Sequence, residues 1–309
     1  MIGECKIVID RLKLCYKRDN ECQLWQMMEG NPDHLQMGDF ELVKGQTDGV
    51  YEGVYGVFYA QHEFGTLLFE RFSDKEKRYC WLSIRNHVFY SKVMSIAVLN
   101  EFQEVTGLGV INNITQLDLA CDLSFNPVPK IKKLLKMENV SVVRCGTKID
   151  DKKQVIHGLF FLHPTNGLKE LAPTLYFSDS DKRKSFVVYD KMKEIHRSNK
   201  TYIAEYYSNP RRLYRMEIRL TSDELFRYFK KNDISPSVDL LVDQAFLKSM
   251  YDELLFRMLH FSYKRKSIDL LDAVMAIKEG YGLDAIQVFQ EGYNNNPSQC
   301  TIHIPMDAN

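Results

Sequence analysis

Residues 114–125 read ITQLDLACDLSF, and they decide the fold class because polar and apolar side chains alternate along them. Neighbouring side chains on a β-strand point to opposite faces, so residues two apart share a face. The apolar face holds Leu117, Leu119, Cys121 and Leu123, and the other face holds Gln116, Asp118, Ala120 and Asp122. The pattern predicts a strand with a core face and a face that bears carboxylates.

Two later segments predict strands of the same kind. In Ser185–Lys191 (SFVVYDK), Tyr189 and Lys191 share one face. In Leu213–Thr221 (LYRMEIRLT), the polar side chains share one face and Tyr214, Met216, Ile218 and Leu220 share the other. If the three strands belong to one antiparallel sheet, one side of it is core. The polar side then gathers Asp118, Tyr189, Lys191, Arg215, Glu217 and Arg219.

The rest of the chain surrounds these strands with further strands and then with helices. Segments 51–72 and 79–89 are rich in aromatic and β-prone residues, which predicts strands. Apolar residues recur at helical spacing over 91–105, and Gly107 is the expected end of that helix. Segment 128–137 predicts a short basic helix. Apolar residues recur at helical spacing after Leu220, over 222–231, 238–263, 268–278 and 283–291. Because strands and helices are partly segregated, we predict an α+β fold of antiparallel sheets with packed helices and an all-helical C-terminal part. The expected divisions are an N-terminal β-rich region (1–113), the strands of the catalytic unit (114–221) and a helical region (222–309).

Composition excludes several classes of protein. The chain has 309 residues, 45% of them hydrophobic, which is incompatible with an intrinsically disordered protein. No stretch reaches the roughly 20 apolar residues that span a bilayer, and charges interrupt the N-terminal segment MIGECKIVIDRLKL, so we expect no membrane partner and a cytoplasmic location. The seven cysteines form no C-x-x-C pair, which argues against a zinc knuckle.

The net charge of the chain is zero, but the charge is distributed unevenly. Residues 182–231 contain 14 lysines and arginines against 6 acidic residues, a local net charge of +8. An excess of this size indicates an anionic partner such as a nucleic acid. An irregularly charged, merely solvated surface is the alternative.

The residue types on the predicted polar face suit phosphodiester chemistry. Carboxylates are hard ligands for Mg²⁺ or Mn²⁺, which polarise a phosphate oxygen. Lysine and arginine neutralise phosphate charge, and a tyrosine hydroxyl can attack phosphorus to form a phosphotyrosine link. A solvated face crossed by ion pairs explains the same pattern without chemistry.

Three motifs resemble those of the replication initiation factors of rolling-circle plasmids, mobile elements and filamentous phages. They are ITQLDLACD (114–122), TLYFSDSDKRKSFVVYDKMKE (174–194) and LYRMEIRL (213–220). In that family an R-I-D strand is followed by a Y-I-G-S-x-x-S strand, a Y-x-K-x-x-E stretch and an R-x-E strand. The resemblance implies cleavage of one origin strand, a covalent link to the 5′ phosphate through tyrosine, and later rejoining.

Residue by residue, the resemblance assigns Tyr189 as nucleophile, Lys191 as its paired lysine and Glu194 as the following acid. It implies that Asp118 and Glu217 help to hold Mg²⁺ or Mn²⁺, with Asp122 as a further candidate ligand, and that Arg215 stabilises charge. We also expect the basic residues Lys182, Arg183, Lys184 and Arg219 to contact DNA. Two departures stand out: Gln116 replaces the usual arginine, and Asp179 and Ser180 replace the glycine–serine turn.

Other nicking chemistries lack their residues here. No two of the eight histidines are two residues apart, no H-x-x-R occurs for a tyrosine recombinase, and no P-loop is present. The resemblance implies as partners origin DNA, single-stranded at the nick, and a polymerase in the bacterial cytoplasm. Because no P-loop is present, unwinding would need a separate host helicase. A homodimer is left open. The alternative function is a non-catalytic DNA-binding replication or regulatory protein on the same scaffold.

Overall fold

The computed structural model describes residues 6–19, 21–47, 51–70, 79–91, 94–144, 147–148, 160–161, 174–178 and 184–283. Within these residues the chain builds two antiparallel sheets and a set of packed helices, so the predicted α+β class is confirmed. None of the helices in these ranges is long and apolar enough to cross a membrane.

The described residues form one large and one small sheet. The eleven strands of the large sheet are β1 (Ile7–Lys17), β2 (His34–Met37), β3 (Phe40–Lys44), β4 (Tyr51–Tyr59), β5 (His62–Glu70), β6 (Tyr79–Ile84), β7 (Asn113–Leu123), β10 (Phe160–Phe161), β11 (Thr174–Ser178), β12 (Lys184–Asp190) and β13 (Tyr214–Thr221). The four strands of the small sheet are β8 (Val140–Arg144), β9 (Thr147–Lys148), β14 (Leu259–Tyr263) and β15 (Lys266–Ile268).

Nine α-helices and one 3-10 helix lie in the described ranges. The α-helices are α1 (Gln23–Met28), α2 (Val98–Thr106), α3 (Val128–Lys136), α4 (Lys191–Ser198), α5 (Thr201–Tyr206), α6 (Ser222–Lys231), α7 (Val238–Val242), α8 (Gln244–Met258) and α9 (Leu270–Glu279). The 3-10 helix spans Asn86–Tyr90. It occupies the end of the segment 79–89 that the sequence predicts as strand throughout, so the strand there ends at Ile84.

The large sheet is continuous across the predicted boundary at residue 113. Its strand order is β10-β11-β12-β13-β7-β1-β6-β5-β4-β3-β2, and every neighbouring pair is antiparallel. The N-terminal strand β1 therefore lies between β6 and β7, in the middle of the sheet. Strands β12, β13 and β7, which carry the predicted polar residues, are consecutive neighbours.

The two faces of the sheet are covered differently. The apolar sides of the strands join α1, α2, α3, α6, α8 and α9 in the main core, where Trp25, Ile131 and Leu254 are almost fully buried. A smaller apolar cluster lies on the opposite face and joins Val8 and Ala120 to α4 and α5. Between this small cluster and the open remainder of that face lie the charged residues.

The predicted helices before and after the catalytic strands are confirmed in part. Helix α2 ends at Gly107, which has φ +68°, a left-handed conformation that glycine adopts without strain. The C-terminal part is largely helical as predicted, but it is not all-helical: the predicted helix 238–263 is divided at Asp243 into α7 and α8 and ends at Met258, and β14 and β15 form a hairpin. The cause is tertiary pairing, because β14 adds to β8 with Phe261 opposite Val142. Beyond Leu283 the predicted helix 283–291 lies outside the described residues.

Candidate active site

The registers of β12, β13 and β7 bring most of the predicted side chains together. Tyr189 pairs with Arg215, Arg215 pairs with Asp122, and Arg219 pairs with Asp118. Directly paired residues of an antiparallel sheet have their side chains on the same face. The polar residues therefore form one continuous group, as the alternation predicts.

Tyr189 stands at the centre of the group. Its hydroxyl donates a hydrogen bond to Glu217 Oε2 at 2.6 Å, and Lys191 Nζ lies 3.4 Å from the same hydroxyl oxygen. Lys191 Nζ is also 5.7 Å from the centre of the Tyr189 ring. The hydroxyl thus has a carboxylate acceptor on one side and an ammonium group on the other.

The protonation of Tyr189 follows from these surroundings. Burial and the nearby negative charge of Glu217 raise the pKa of Tyr189 well above its usual 10, although Arg215 works in the opposite direction. In this arrangement the hydroxyl keeps its proton. Any reaction of this oxygen as a nucleophile would require its proton to move to an acceptor, and Glu217 Oε2 already accepts a hydrogen bond from it.

Lys191 is fixed by the turn between β12 and α4. The strand ends at Asp190, whose side chain caps α4 by accepting from the Lys193 amide at 3.0 Å, and the Lys191 amide donates to Leu213 O at 2.9 Å. Lys191 is therefore the first residue of a helix rather than the last of a strand. Its ammonium group is buried and lies 2.8 Å from Glu194 and 3.7 Å from Asp10.

Burial lowers the pKa of Lys191, as does the charge of Arg215, while Asp10 and Glu194 raise it. The two acids therefore offset part of the cost of burying this ammonium group. Glu194 is the acid of the Y-x-K-x-x-E stretch, and it pairs with the lysine of that stretch as a helix i,i+3 neighbour. The spacing of the motif is thus explained by one turn of α4.

Arg215 is completely buried beneath the group. Its Nε and Nη2 each donate to Asp122 at 2.6 Å, Nη2 donates to Tyr90 Oη at 2.7 Å, and Nη1 donates to Asp10. These contacts link β13 to β7, β1 and the 3-10 helix. Because its donors already have protein acceptors, Arg215 holds the site together and does not face a substrate.

Sequence reasoning missed Asp10, which the structure places between Arg215 and Lys191. Burial works to raise the pKa of Asp10, but the charges of Arg215 and Lys191 outweigh it and hold this pKa well below its usual range. A register irregularity between Ile9 and Arg11 accommodates Asp10 on the polar face. The sequence does contain a sign of this irregularity. Before Asp10 the core residues have odd numbers (Ile7, Ile9), and after it they have even numbers (Leu12, Leu14, Tyr16).

Asp118 carries the clearest sign of a missing partner. Its side chain is almost fully buried, its Oδ2 lies 3.6 Å from Arg11 Nε, and its Oδ1 has no hydrogen-bond partner. Burial and the charge of Glu217 raise the pKa of Asp118 to about 7, although Arg11 and Arg219 oppose the rise. A buried, unpartnered carboxylate oxygen beside a second carboxylate is costly unless a cation lies between them.

Asp118 and Glu217 are the acids whose chemistry suits a divalent metal ion, although Glu217 accepts from Tyr189 and from Arg219, so that of the two only Asp118 has an oxygen without a protein partner. They occupy diagonal positions on neighbouring strands, since the direct partner of Asp118 is Arg219. The described residues contain no group of three or more histidine, cysteine or acidic side chains arranged to hold a metal. Mg²⁺ commonly uses one or two carboxylates and takes its other ligands from substrate phosphate and water, so two carboxylates suffice.

The remaining predicted residues have other surroundings. Asp122 accepts from Arg215 and, at 2.8 Å, from Tyr207 Oη, so both of its oxygens have protein partners. Lys184 forms a 3.0 Å ion pair with Glu224. Arg219 pairs with Glu217, and its side chain is 47% exposed. Lys182 and Arg183, like Asp179 and Ser180, lie outside the described residues.

The chain is similar to the rolling circle replication initiator protein from Geobacillus stearothermophilus, with a TM-score of 0.44 and 14% sequence identity over 82% of this chain and 85% of that chain. No protein-family model matches, and no curated protein sequence matches.

Proposed function

We propose that this chain initiates rolling-circle DNA replication by nicking and rejoining one strand of an origin through a phosphotyrosine link. The observation that carries the proposal is the position of the Tyr189 hydroxyl, 2.6 Å from Glu217 and 3.4 Å from Lys191, on the same face of the sheet as Asp118, whose Oδ1 has no hydrogen-bond partner. The motif order and the resemblance of these motifs to replication initiation factors support the same assignment.

In the proposed reaction Tyr189 Oη attacks the scissile phosphorus. A bond forms between that oxygen and phosphorus, and the bond from phosphorus to the 3′ oxygen of the DNA breaks. The tyrosine proton moves to Glu217 Oε2, and the departing 3′ oxygen takes up a proton from solvent to become a hydroxyl. The reverse sequence rejoins the strand without an external energy source, because the phosphodiester energy is kept in the tyrosine link.

The other residues prepare this step. Lys191 places a positive charge beside the tyrosine oxygen and favours its deprotonation. Asp118 and Glu217 would hold Mg²⁺ or Mn²⁺, which when bound polarises a phosphate oxygen. Arg219 and Arg11, each partly exposed at the edge of the site, are the arginines best placed to meet DNA phosphates.

The test is cleavage of a supercoiled replicon and of single-stranded oligonucleotides tiled across its origin, with Mn²⁺ or with EDTA. The wild-type protein should give a metal-dependent nick and a covalent protein–DNA adduct on a denaturing gel. Tyr189→Phe should abolish both while oligonucleotide binding persists. Tyr214→Phe is the matched control, because Tyr214 is on β13 one residue from Arg215 and points to the opposite face.

Two outcomes would overturn the proposal. A nick that survives in Tyr189→Phe would show that another group is the nucleophile. Salt-sensitive DNA binding without any nick would identify a non-catalytic DNA-binding protein and leave the polar face as a binding surface.

A further inference from the structure

The face of the sheet that carries the candidate active site continues beyond β7 onto β1, β6, β5 and β4. On this continuation, Lys13 and Lys17 of β1 alternate with buried core residues, as do Tyr79 and Trp81 of β6. Tyr51 of β4 is also partly exposed. We call the set formed by Lys13, Tyr51, Tyr79 and Trp81 the aromatic platform.

The members of the aromatic platform are close neighbours. Lys13 Nζ lies 5.8 Å from the centre of the Tyr51 ring and 5.9 Å from that of Trp81. The Trp81 ring centre is 6.0 Å from that of Tyr51 and 6.4 Å from that of Tyr79. Two partly exposed rings, Tyr51 and Trp81, therefore lie against one ammonium group, and the Tyr79 ring lies next to Trp81.

The platform is not part of the hydrophobic core. In β6 the core positions are Cys80, Leu82 and Ile84, which alternate with Tyr79 and Trp81. Helix α1 packs on the core side of the sheet, where Trp25 contacts Phe69 edge-on with ring centres 5.0 Å apart. The platform rings thus lie on the opposite face, and core packing does not account for their presence.

The platform adjoins the active site through β1. Arg11 pairs with Asp118, and two residues further along the strand Lys13 pairs with Gln116. Four strand spacings separate β7 from β4, which is about 19 Å at the usual ~4.8 Å per strand. A row of cations, Arg11, Lys13 and Lys17, runs along β1 between the carboxylates and the rings. Among the residues that the structure describes on β4, β5 and β6, the acid Glu70 lies opposite Tyr51.

We propose that the aromatic platform binds single-stranded DNA next to the nick, with unpaired bases on its rings and the phosphate backbone along Lys13 and Arg11. The inference rests on the proposed function, because it assigns a substrate-binding surface to the proposed nicking site. Aromatic rings beside a basic track are the surface on which unpaired bases stack, whereas the bases of a duplex are already stacked on each other. The combination of rings and cations therefore favours a single strand over a duplex.

Tryptophan fluorescence reports on the platform directly, because the chain has two tryptophans and one of them, Trp25, is buried. The protein to use is the full chain with Trp25→Phe and Tyr189→Phe, in EDTA, so that binding is measured without cleavage. Oligothymidylate of about 15 nucleotides, within the known range of single-strand site sizes, is the probe. It should quench the emission of Trp81, and a duplex of the same length should quench it far less.

A second experiment measures the affinity of each variant for labelled oligothymidylate by fluorescence anisotropy. Trp81→Ala should weaken binding at least about 5-fold, the lower end of the loss for one stacked base. Lys13→Gln should reduce the slope of affinity against salt by about 0.7, the value for one phosphate contact on a single strand. Phe226→Ala is the matched control, because Phe226 is 55% exposed on α6, on the other side of the sheet. This variant should bind oligothymidylate with the same affinity as the parent.

Circular dichroism and urea unfolding establish that each variant is folded. The inference is overturned if folded Trp81→Ala and Lys13→Gln bind oligothymidylate like the parent, or if duplex quenches Trp81 as strongly as the single strand. Failure of the nicking chemistry is seen separately, as absence of a DNA adduct in the wild-type protein while Trp81-dependent binding persists.

Discussion

Replacing Asp122 by asparagine tests whether the buried ion network beneath the site organises the strands. Asp122 accepts three hydrogen bonds, two from Arg215 at 2.6 Å and one from Tyr207 at 2.8 Å. An asparagine has the same size, but its amide nitrogen cannot accept a hydrogen bond. At least one donor of Arg215 or Tyr207 then loses its acceptor inside the protein.

The expected cost is large because the pair is buried: the side chain of Arg215 is 0% exposed and that of Asp122 is 2% exposed. Breaking a buried pair by removing one partner costs about 3–5 kcal/mol. Arg215 keeps Asp10 and Tyr90 as acceptors, so we expect the lower end, about 3 kcal/mol, in the free energy of unfolding. A loss of that size is a substantial part of the roughly 5–15 kcal/mol that holds a typical domain folded.

Urea unfolding at pH 7, followed by circular dichroism, measures this loss. Asp33→Asn is the control, because Asp33 pairs with Lys44 at 3.5 Å with its side chain 93% exposed, and it should cause no measurable change. The double variant Asp122→Leu with Arg215→Met should cost less than the two single changes added together, since it leaves no uncompensated charge from that pair. A free energy of unfolding for Asp122→Asn within about 0.5 kcal/mol of the wild-type value would refute the reasoning.

Two further predictions concern the metal-free acid pair and the packing of the sheet. Burial and the charge of Glu217 raise the pKa of Asp118 to about 7. The contribution of Asp118 to the free energy of unfolding is therefore fully present below its unfolded-state pKa of about 4, and it is lost as the pH rises to 7. From pH 5 to pH 8 in EDTA, the free energy of unfolding of the wild-type protein, measured with urea, should fall by about 2–3 kcal/mol more than that of Asp118→Asn. Addition of Mn²⁺ at pH 8 should restore stability to the wild type alone. Equal losses in the two proteins would show that the pKa of Asp118 is not raised by the fold. Gly65→Ala should destabilise the protein by about 1–3 kcal/mol, because a Cβ there would lie 2.8 Å from Ser83 O, whereas Gly30→Ala, with open space around it, should not.

The strands of the site could be predicted because each has two faces of different chemistry. In β13 polar and apolar residues alternate throughout, and in β7 they alternate from Gln116 to Leu123 except at Ala120. The observed register then brings the two polar faces together. The C-terminal hairpin could not be predicted in this way. Its turn residues Lys264 and Arg265 have φ of +50° and +67°, and neither is a glycine or asparagine that would indicate a hairpin.

The sequence predicted only those site residues that lie in a strand with regular alternation of polar and apolar positions. Tyr189 and Glu217 are in regular strands, and the structure joins them by a hydrogen bond. Asp10 lies at a register irregularity, and Tyr90 ends a 3-10 helix just after the predicted strand 79–89, so neither position follows a regular period. Their contacts with Arg215 depend on pairing between β1 and β7, which follows from the whole sheet and not from any local segment.

The geometry separates the arginines and lysines of the site into two roles that the sequence does not distinguish. Arg215 and Lys191 are buried and already paired with acids, so their charges are fixed in place before any substrate arrives. Arg11 and Arg219 are 59% and 47% exposed, and each lies beside one of the two carboxylates that fit a metal ion. In the proposed function, a phosphate that enters the site would meet the exposed pair first. In the proposed reaction the buried pair would hold Tyr189 and the strands around it in position, and the charge of Lys191 would also favour deprotonation of the tyrosine. Because both charges are already fixed in place, neither effect needs reorganisation when the reaction occurs.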